Sequence, residues 1–234
     1  MKPYAGAPQR TPAGCCSEQA IAGVDAAIAW AIQRTKADAS QVHLVGVSGG
    51  GYVALCQLLR GAQPLRSVQA WAPITDLARW HAQTSARGLP YARDIEACSG
   101  SAGALDAEEA RRRSPLHMQV PAERVVATRV HLYAGIRDGH QGSVPISHSL
   151  LFYDRLLPAD SPGFARVTAR EMLALLDDPA ALAGPDVVGD RGVILERDHA
   201  GVSLVIFEGG HETLPGAALQ AVERGGAMAG PPRG

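Results

Sequence analysis

The hydrophobic positions near the start of the chain repeat with the period of an α-helix. Four apolar side chains recur at spacings of three or four residues: Ile21, Val24, Ile28 and Ile32. Such spacing places them on one side of a helix. Ser17 precedes them and is a residue type that caps helix N-termini. The pattern predicts an amphipathic helix over residues 17–36.

Short apolar runs and helical patterns then alternate. The runs lack polar alternation, which is typical of strands buried on both faces; they are residues 42–47, 68–73, 130–134 and 202–207. The helical patterns cover residues 49–60, a segment opened by Pro145, and residues 164–177 and 212–224. Because strands alternate with helices, we predict an α/β fold with a mostly parallel sheet and helices on both faces.

Residues 77–125 interrupt this alternation with short charged or aromatic helical pieces separated by Gly, Ser and Pro. We interpret them as a small helical, cap-like insertion. Arg111–Arg113 close one piece and are expected to form a solvated helix end. The chain is then a single domain over residues 1–234, with core segments 17–76 and 126–224 and irregular tails at 1–16 and 225–234.

Composition narrows the class of protein. Of 234 residues, 46% are hydrophobic, and the formal net charge is −1 with a pI near 6.7. This balance offers no basic patch for nucleic acid or for a membrane surface. The first fifteen residues lack the apolar stretch of a secretion signal, and no run reaches the roughly 20 apolar residues of a membrane span. We therefore expect a soluble, cytoplasmic chain, with a secreted or periplasmic location open if sequence precedes Met1.

The four cysteines do not have the spacing of a zinc site. Cys56 lies in an apolar helical run, so we interpret it as a buried, inert thiol. Cys15 and Cys16 are adjacent in the chain and rarely pair with each other. The sequence leaves open whether one of them reaches Cys98.

One stretch, residues 43–55, leads an apolar run into a serine surrounded by four glycines, HLVGVSGGGYVAL. A phosphate-binding loop is excluded because no lysine follows Gly51. A dinucleotide-binding loop stays an alternative, because residues 49–54 fit GxGxxG/A and Asp76 ends the next strand. Asp76 lies further from the glycines than the usual ~20 residues, which weakens this interpretation.

The third interpretation is the motif GxSxG, formed by Gly46, Ser48 and Gly50. It marks a sharp strand-to-helix turn that exposes a nucleophilic serine. Strand and helix backbones approach closely at such an elbow, so a Cβ at Gly46 or Gly50 is expected to clash. The N-terminus of the following helix favours negative charge developing beside the serine.

A nucleophilic serine needs a base and an acid that orients the base. Asp138 follows the third predicted strand and His211 follows the fourth, at the edge where an α/β sheet binds its ligands. Each has an alternative role, as a turn cap for Asp138 and a helix cap for His211. Weaker candidates are Asp76 as the acid, His140 as a lining residue, and His43 and His131 as residues within strands.

Five stretches resemble the catalytic domain of prolyl-oligopeptidase-like serine hydrolases, in the α/β-hydrolase superfamily. They extend from about residue 17 to 222 and read GVSGGGYVAL, AWAPITDL, RRRSPLHM, HLYAGIRDG with SVPISHSLLFYDRL, and IFEGGHETL. The resemblance implies an α/β-hydrolase fold with Ser48 as nucleophile, Asp138 as acid and His211 as base. It also implies that the Gly49 N–H is one oxyanion donor, and that neither a metal nor an organic cofactor is needed.

Two features depart from the relatives. An extended GHQGS stretch follows Asp138, which leaves the path of the acid loop open. Only 47 residues precede Ser48, where relatives carry further strands and the loop with the second oxyanion donor, so we expect an N-terminally truncated fold. Strand 42–47 would then be an apolar sheet edge, open to pairing with a second copy of the chain or with a missing N-terminal segment.

We therefore predict a serine hydrolase that cleaves a small ester or a short peptide through an acyl-enzyme. The insertion at 77–125 would shape access to the serine, with Trp80 and Tyr91 lining the site or packing in the core. Two alternatives stay open. One is a binding or interaction domain, because losing an oxyanion donor costs about 10²–10³ in turnover. The other is a dinucleotide-binding domain.

Overall fold

The computed structural model describes residues 11–100 and 103–225, which form a six-stranded sheet flanked by helices. The strands are β1 His43–Val47, β2 Ser67–Trp71, β3 Arg129–Gly135, β4 Val187–Val188, β5 Arg191–His199 and β6 Val202–Phe207. The α-helices are α1 Glu18–Thr35, α2 Gly49–Arg60, α3 Leu77–Ala86, α4 Tyr91–Ser99, α5 Ala107–Arg112, α6 Ala122–Ala127, α7 Ser147–Leu156, α8 Ala169–Asp177 and α9 Pro215–Glu223. The tail predictions for residues 1–10 and 226–234 lie outside the described residues. No helix within the described ranges has the length and apolar character to cross a bilayer.

Four parallel strands form the centre of the sheet. The strand order is β1-β2-β3-β6-β5-β4, and β1, β2, β3 and β6 run in the same direction. Each of these strands corresponds to one of the predicted apolar runs, which confirms the α/β fold. Because the strands are parallel and in register, the loops after β1, β3 and β6 all leave the sheet at its carboxyl edge.

The sheet is mixed at its other end, where two strands were not predicted. β5 pairs with β6 in the antiparallel direction, and β4 pairs with β5. Ala200 and Gly201 connect β5 to β6 with φ angles of 52° and 82°, the left-handed geometry of a tight hairpin. β5 was not predicted because its second half, ERDH, is polar and lies largely at the surface.

Helices cover both faces of the sheet. On one face, apolar side chains of β2, β3 and β6 pack in the main core together with residues of α2 and α7. On the opposite face, Trp71, Tyr133 and Phe207 pack against Ala217 and Ala218 of α9. Successive side chains of these strands point to opposite faces of the sheet, and both faces are covered. This explains why the strands are apolar throughout.

The edge position of β1 agrees with the prediction for strand 42–47. Among the described residues β1 pairs with β2 alone. Val45 and Val47 remain 49% and 39% exposed on the face that α9 covers further along the sheet. Pairing of this edge with a second copy or with a further segment stays a prediction.

Helix boundaries follow their capping residues. The Ser17 side chain caps α1 by accepting a hydrogen bond from Ala20 N–H, as predicted. The predicted helix 164–177 is wrong in its first turn, because α8 begins only after a capping box between Thr168 and Glu171. The last helix likewise begins at Pro215, so His211 lies in the loop that precedes it.

The cysteine predictions need one correction. Cys56 is not a free thiol, since it forms a disulfide with Cys16. Cys15 pairs with Cys98, the contact that the sequence left open. The residues just before α1 are therefore linked both to α2 and to α4, and no cysteine is free in the part of the chain described.

The prediction of a solvated helix end at Arg111–Arg113 is wrong for Arg113. Its side chain is buried, and it donates to Glu109 and to the carbonyl oxygens of Pro12 and Gly14. Arg111 and Arg112 are exposed, as predicted. The hydrogen bonds of Arg113 therefore link the segment before α1 to the end of α5.

Candidate active site

Ser48 occupies a strained turn between β1 and α2. Its φ and ψ angles are 56° and −120°, in the left-handed half of backbone space that a non-glycine residue seldom adopts. The Ser48 N–H donates to Trp71 O at 2.8 Å, which extends the β1–β2 ladder one residue beyond the strand. This is the geometry of a nucleophile elbow, which lifts the serine hydroxyl above the carboxyl edge of the sheet.

The glycines of this elbow differ from the prediction at one position. A Cβ at Gly46 would overlap the backbone of Gly50, so the predicted crowding at Gly46 is confirmed. The predicted clash at Gly50 is wrong, because a Cβ there would meet nothing within 4 Å. The second crowded position is Gly51, where a Cβ would lie 3.2 Å from Gly46 O and from Pro73 Cβ.

Gly49 is the first residue of α2. Its N–H is one of the donors at a helix N-terminus that have no acceptor within the helix. No acidic side chain lies in the first turn of α2, so the positive end of the helix dipole is not neutralised there. A negatively charged oxygen near Ser48 would meet a favourable field.

Asp138 and His211 form a close pair. His211 Nδ1 lies 2.7 Å from Asp138 Oδ2, and the carboxylate is fully buried. The other oxygen, Oδ1, accepts hydrogen bonds from the N–H groups of Gly139 at 2.9 Å and Val144 at 3.0 Å. Asp138 therefore contacts the imidazole and also caps its own turn, and its role as the catalytic acid stays a prediction.

Backbone contacts hold the acid and base loops together. The N–H groups of Ile136 and Arg137 donate to Phe207 O and Gly209 O, each at 2.9 Å. The extended stretch after Asp138 folds back over its carboxylate, since a Cβ at Gly142 would overlap both Asp138 and His211. This contact resolves the path of the acid loop that the sequence left open.

The serine and the histidine are not hydrogen-bonded to each other. Within residues 11–100 and 103–225 no hydrogen bond joins Ser48 Oγ to His211, although both follow strands that end at the same edge of the sheet. The structure brings Asp138 and His211 together, and the contact of His211 with Ser48 stays a prediction. Catalytic hydrogen bonds are often long before substrate binds and shorten in the complex.

A profile of the prolyl oligopeptidase family matches residues 16–171, two thirds of the chain. The chain belongs to the prolyl oligopeptidase family. The match includes Ser48 and Asp138 and ends before β6 and His211. Membership in this peptidase family supports a serine-type, peptidase-like hydrolase. A comparison with curated proteins finds no match.

Solved structures of three peptidases align with this family member. A puromycin-hydrolyzing peptidase of Mycobacterium tuberculosis aligns with 97% of this chain and 27% of its own, with TM-score 0.54 and 16% identity. Acylaminoacyl peptidase from Pyrococcus horikoshii aligns with 59% and 21%, with TM-score 0.46 and 20% identity. Prolyl oligopeptidase B from Galerina marginata aligns with 59% and 18%, with TM-score 0.47 and 19% identity. The chain thus spans about a fifth to about a quarter of these proteins. Its mixed sheet with helices on both faces and its family match give it the fold of an α/β-hydrolase.

In this prolyl oligopeptidase family member, Ser48 lines a cavity of about 160 Å³ between the start of α2 and the helices α3 and α4. Its walls are mostly apolar or aromatic and are formed by Cys15, Gly49, Tyr52, Ile74, Leu77, Trp80, Tyr91, Asp94 and Ile95. Trp80 and Tyr91, which the sequence singled out, stack with ring centroids 5.1 Å apart. The other residues of the cavity wall were not predicted, because the sequence does not show which side chains of the insertion and of the elbow meet.

The remaining candidates have other partners. Asp76 caps α3 by accepting from Arg79 N–H at 3.0 Å and faces His117 at 3.2 Å, so this acid is not poised for a ribose or for His211. His43 Nδ1 lies 2.7 Å from Ser67 Oγ, at the opposite edge of the sheet. His140 is exposed on the acid loop. The described residues contain no group of three acidic, His or Cys side chains that could hold a metal ion.

Proposed function

We propose that this chain is a serine hydrolase that transfers an acyl group to water through an acyl-enzyme on Ser48. The observation that carries the proposal is the buried Asp138 carboxylate held 2.7 Å from His211 Nδ1, in a family of serine peptidases. An ionised carboxylate can only accept, so a neutral imidazole in this contact donates through Nδ1 and carries no proton on Nε2. Nε2 is then the atom that can take the Ser48 proton.

The reaction proceeds in two halves. In the first, Ser48 Oγ attacks the substrate carbonyl carbon while His211 Nε2 takes the hydroxyl proton, and the Gly49 N–H donates to the developing oxyanion. The C–O or C–N bond then breaks, and His211 returns the proton to the leaving alcohol or amine. In the second half, water attacks the ester on Ser48, and the acid and free serine are released.

The cavity beside Ser48 supports a small, apolar acyl group as the bound part of the substrate. Its volume of about 160 Å³ and its walls of Trp80, Tyr91 and Leu77 suit a short aliphatic or aromatic group. We expect esters and short peptides with such a group next to the scissile carbonyl to be the best substrates.

The test is hydrolysis of 4-nitrophenyl acetate and butyrate, together with short peptide 4-nitroanilides. We expect Ser48→Ala and His211→Gln to lower turnover by about 10³-fold or more, and Asp138→Asn by about 10³–10⁴-fold. His140→Gln, on the exposed part of the same loop, is the matched control and should keep wild-type turnover. A folded wild-type protein that hydrolyses none of these substrates would instead favour a binding domain.

A further inference from the structure

We infer that Trp80 couples the cavity beside Ser48 to the Asp138–His211 pair, so that a group filling the cavity helps to position the catalytic acid and base. The inference rests on the function proposed above and assigns Trp80 as a positioning residue. Two contacts of Trp80 support it: the ring lines the cavity, and the indole N–H donates to the acid loop.

The ring of Trp80 forms part of the cavity wall. It stacks on Tyr91 with an angle of 28° between the ring planes, and Leu77 and Ile95 line the same space. The side chain is buried apart from this surface. A substrate group that enters the cavity must therefore pack against the ring, and its presence restricts the positions that the ring can adopt.

The indole N–H of Trp80 reaches the acid loop. Nε1 donates to the carbonyl oxygen of Ser143 at 2.9 Å, in a buried hydrogen bond. That carbonyl belongs to the same peptide group as the N–H of Val144, which donates to Asp138 Oδ1 at 3.0 Å. A peptide group is planar and rigid, so Trp80 and Asp138 hold the two ends of one stiff unit.

The chain of contacts continues to the base, because Asp138 Oδ2 lies 2.7 Å from His211 Nδ1. Three hydrogen bonds and one peptide plane thus connect the cavity wall to the imidazole. A bond to the carbonyl of a peptide also polarises its N–H and strengthens the hydrogen bond that this N–H donates. A shift of the indole therefore changes both the position and the strength of the contact that holds Asp138.

A second anchor keeps the acid loop in place when the indole contact is removed. The guanidinium of Arg87 donates to Gly142 O at 2.8 Å and to His140 O at 3.2 Å. This anchor comes from the exposed end of α3 and does not touch the cavity. Trp80→Phe therefore keeps an aromatic wall and a tethered loop while it deletes only the link between them.

The kinetic test compares Trp80→Phe with Trp30→Phe, which changes an exposed tryptophan of α1. For 4-nitrophenyl butyrate, whose acyl chain we expect to extend into the cavity, Trp80→Phe should lower kcat about 3–10-fold with KM changed less than about twofold. For 4-nitrophenyl acetate, whose acyl group is two carbons shorter, the loss should be smaller. Trp30→Phe should match wild type on both. Equal losses on the two esters, or no loss, would overturn the coupling.

A spectroscopic test needs no turnover and separates this inference from the proposed function. The proton in the contact between Asp138 and His211 should give a far-downfield NMR signal, which its loss in Asp138→Asn would assign. In Ser48→Ala, 1-butanol should shift this signal and the Trp80 indole N–H signal with the same midpoint. In the double variant with Trp80→Phe the shared-proton signal should not respond. If the double variant does not fold, unequal midpoints for the two signals in Ser48→Ala would still overturn the inference.

Discussion

At the scale of single residues, the backbone of Ser48 concentrates the strain of the site. A serine at φ 56° and ψ −120° costs about 1–3 kcal/mol relative to a relaxed conformation. The cost persists because β1 and α2 meet at this point and because Trp71 O accepts the Ser48 N–H. Their close approach depends on the missing side chain at Gly46.

The glycine pair of the elbow gives a direct test. Gly46→Ala should lower the free energy of unfolding by at least about 2 kcal/mol and abolish hydrolysis, because the new Cβ overlaps the Gly50 backbone. Gly50→Ala should leave that free energy unchanged or raise it by up to about 1 kcal/mol, because its Cβ is unobstructed and alanine favours the helix. Urea unfolding measures both. Similar losses in the two variants would contradict the elbow geometry.

His148 should make stability depend on pH. Burial lowers the pKa of its imidazole to about 4; the charge of Asp76 opposes this and that of Arg79 adds to it. The neutral ring accepts from Thr75 N–H at 3.1 Å through Nδ1 and contacts Gln83 Oε1 at 3.0 Å through Nε2. Since the unfolded pKa is near 6.5, this contribution is complete above pH 6.5 and is lost as the pH falls towards 4.

The loss amounts to about 3 kcal/mol over that window. His148→Gln should therefore lose about 2–3 kcal/mol less of its unfolding free energy between pH 7 and 4.5 than wild type does. His140→Gln, at an exposed position, should follow the wild-type pH profile. Urea unfolding at four or five pH values tests this, and parallel profiles for His148→Gln and wild type would refute it.

At the scale of elements, the short helix α5, of six residues, holds the segment that precedes α1. Arg113, at its end, is buried, and it donates hydrogen bonds to the partly buried Glu109 and to the carbonyls of Pro12 and Gly14. Glu109 in turn has its pKa lowered to about 2, chiefly by its hydrogen bond with Arg112. The segment before α1 is thereby attached to α5, which packs against α3 and α4, two helices that border the cavity.

We expect Arg113→Met to lower the free energy of unfolding by about 2–4 kcal/mol, because it leaves Glu109 and two carbonyls without their buried donor. Arg111→Met, on the solvated side of the same helix end, should change it by less than about 0.5 kcal/mol. Equal effects in thermal unfolding would show that Arg113 is solvated, as its sequence context predicts.

The elements differ in how far the sequence determines them. β1, β2, β3 and β6 were predictable because burial on both faces demands continuous apolar runs. β5 was not, since its ERDH half faces solvent and its pairing with β6 rests on a two-residue turn. The burial of Arg113 was hidden for a different reason, because its partners Pro12 and Gly14 lie about a hundred residues away in the chain.

Some features of the candidate site are visible in the sequence, and others depend on contacts that only the folded structure shows. The places of Ser48, Asp138 and His211 directly after strands were predictable, because the apolar runs before them mark those strands. Their catalytic roles stay a prediction. The crowding at Gly51 rather than Gly50 depends on the exact path of the helix backbone, which a run of consecutive glycines does not reveal. The cavity walls and the Trp80 contact to Ser143 join segments far apart in the sequence.

At the scale of the whole molecule, two disulfides connect the start of the described chain to its core. Cys16–Cys56 closes a separation of 40 residues, for which loop entropy gives about 4 kcal/mol of stabilisation. Cys16→Ser with Cys56→Ser should lose roughly that amount in urea unfolding. Native protein should show no reactive thiol before reduction and four after it. A thiol that reacts in native, unreduced protein would contradict the pairing.

The sheet as a whole ends at β1, whose valines are partly exposed, in a chain that spans about a fifth to a quarter of similar peptidases. All groups proposed for acyl transfer nevertheless follow strands that end at one edge of this sheet. The described fold therefore presents the serine, the acid–base pair and the cavity within a single unit.

Covalent labelling of Ser48 tests the central claim most directly. A fluorophosphonate should add once per folded chain, and peptide mass spectrometry should locate the adduct on Ser48. Ser48→Ala should not react, and His211→Gln should react at least about 10²-fold more slowly, because the histidine activates the hydroxyl. Folded wild-type protein that stays unlabelled, or a Ser48→Ala variant labelled at the wild-type rate, would contradict the account.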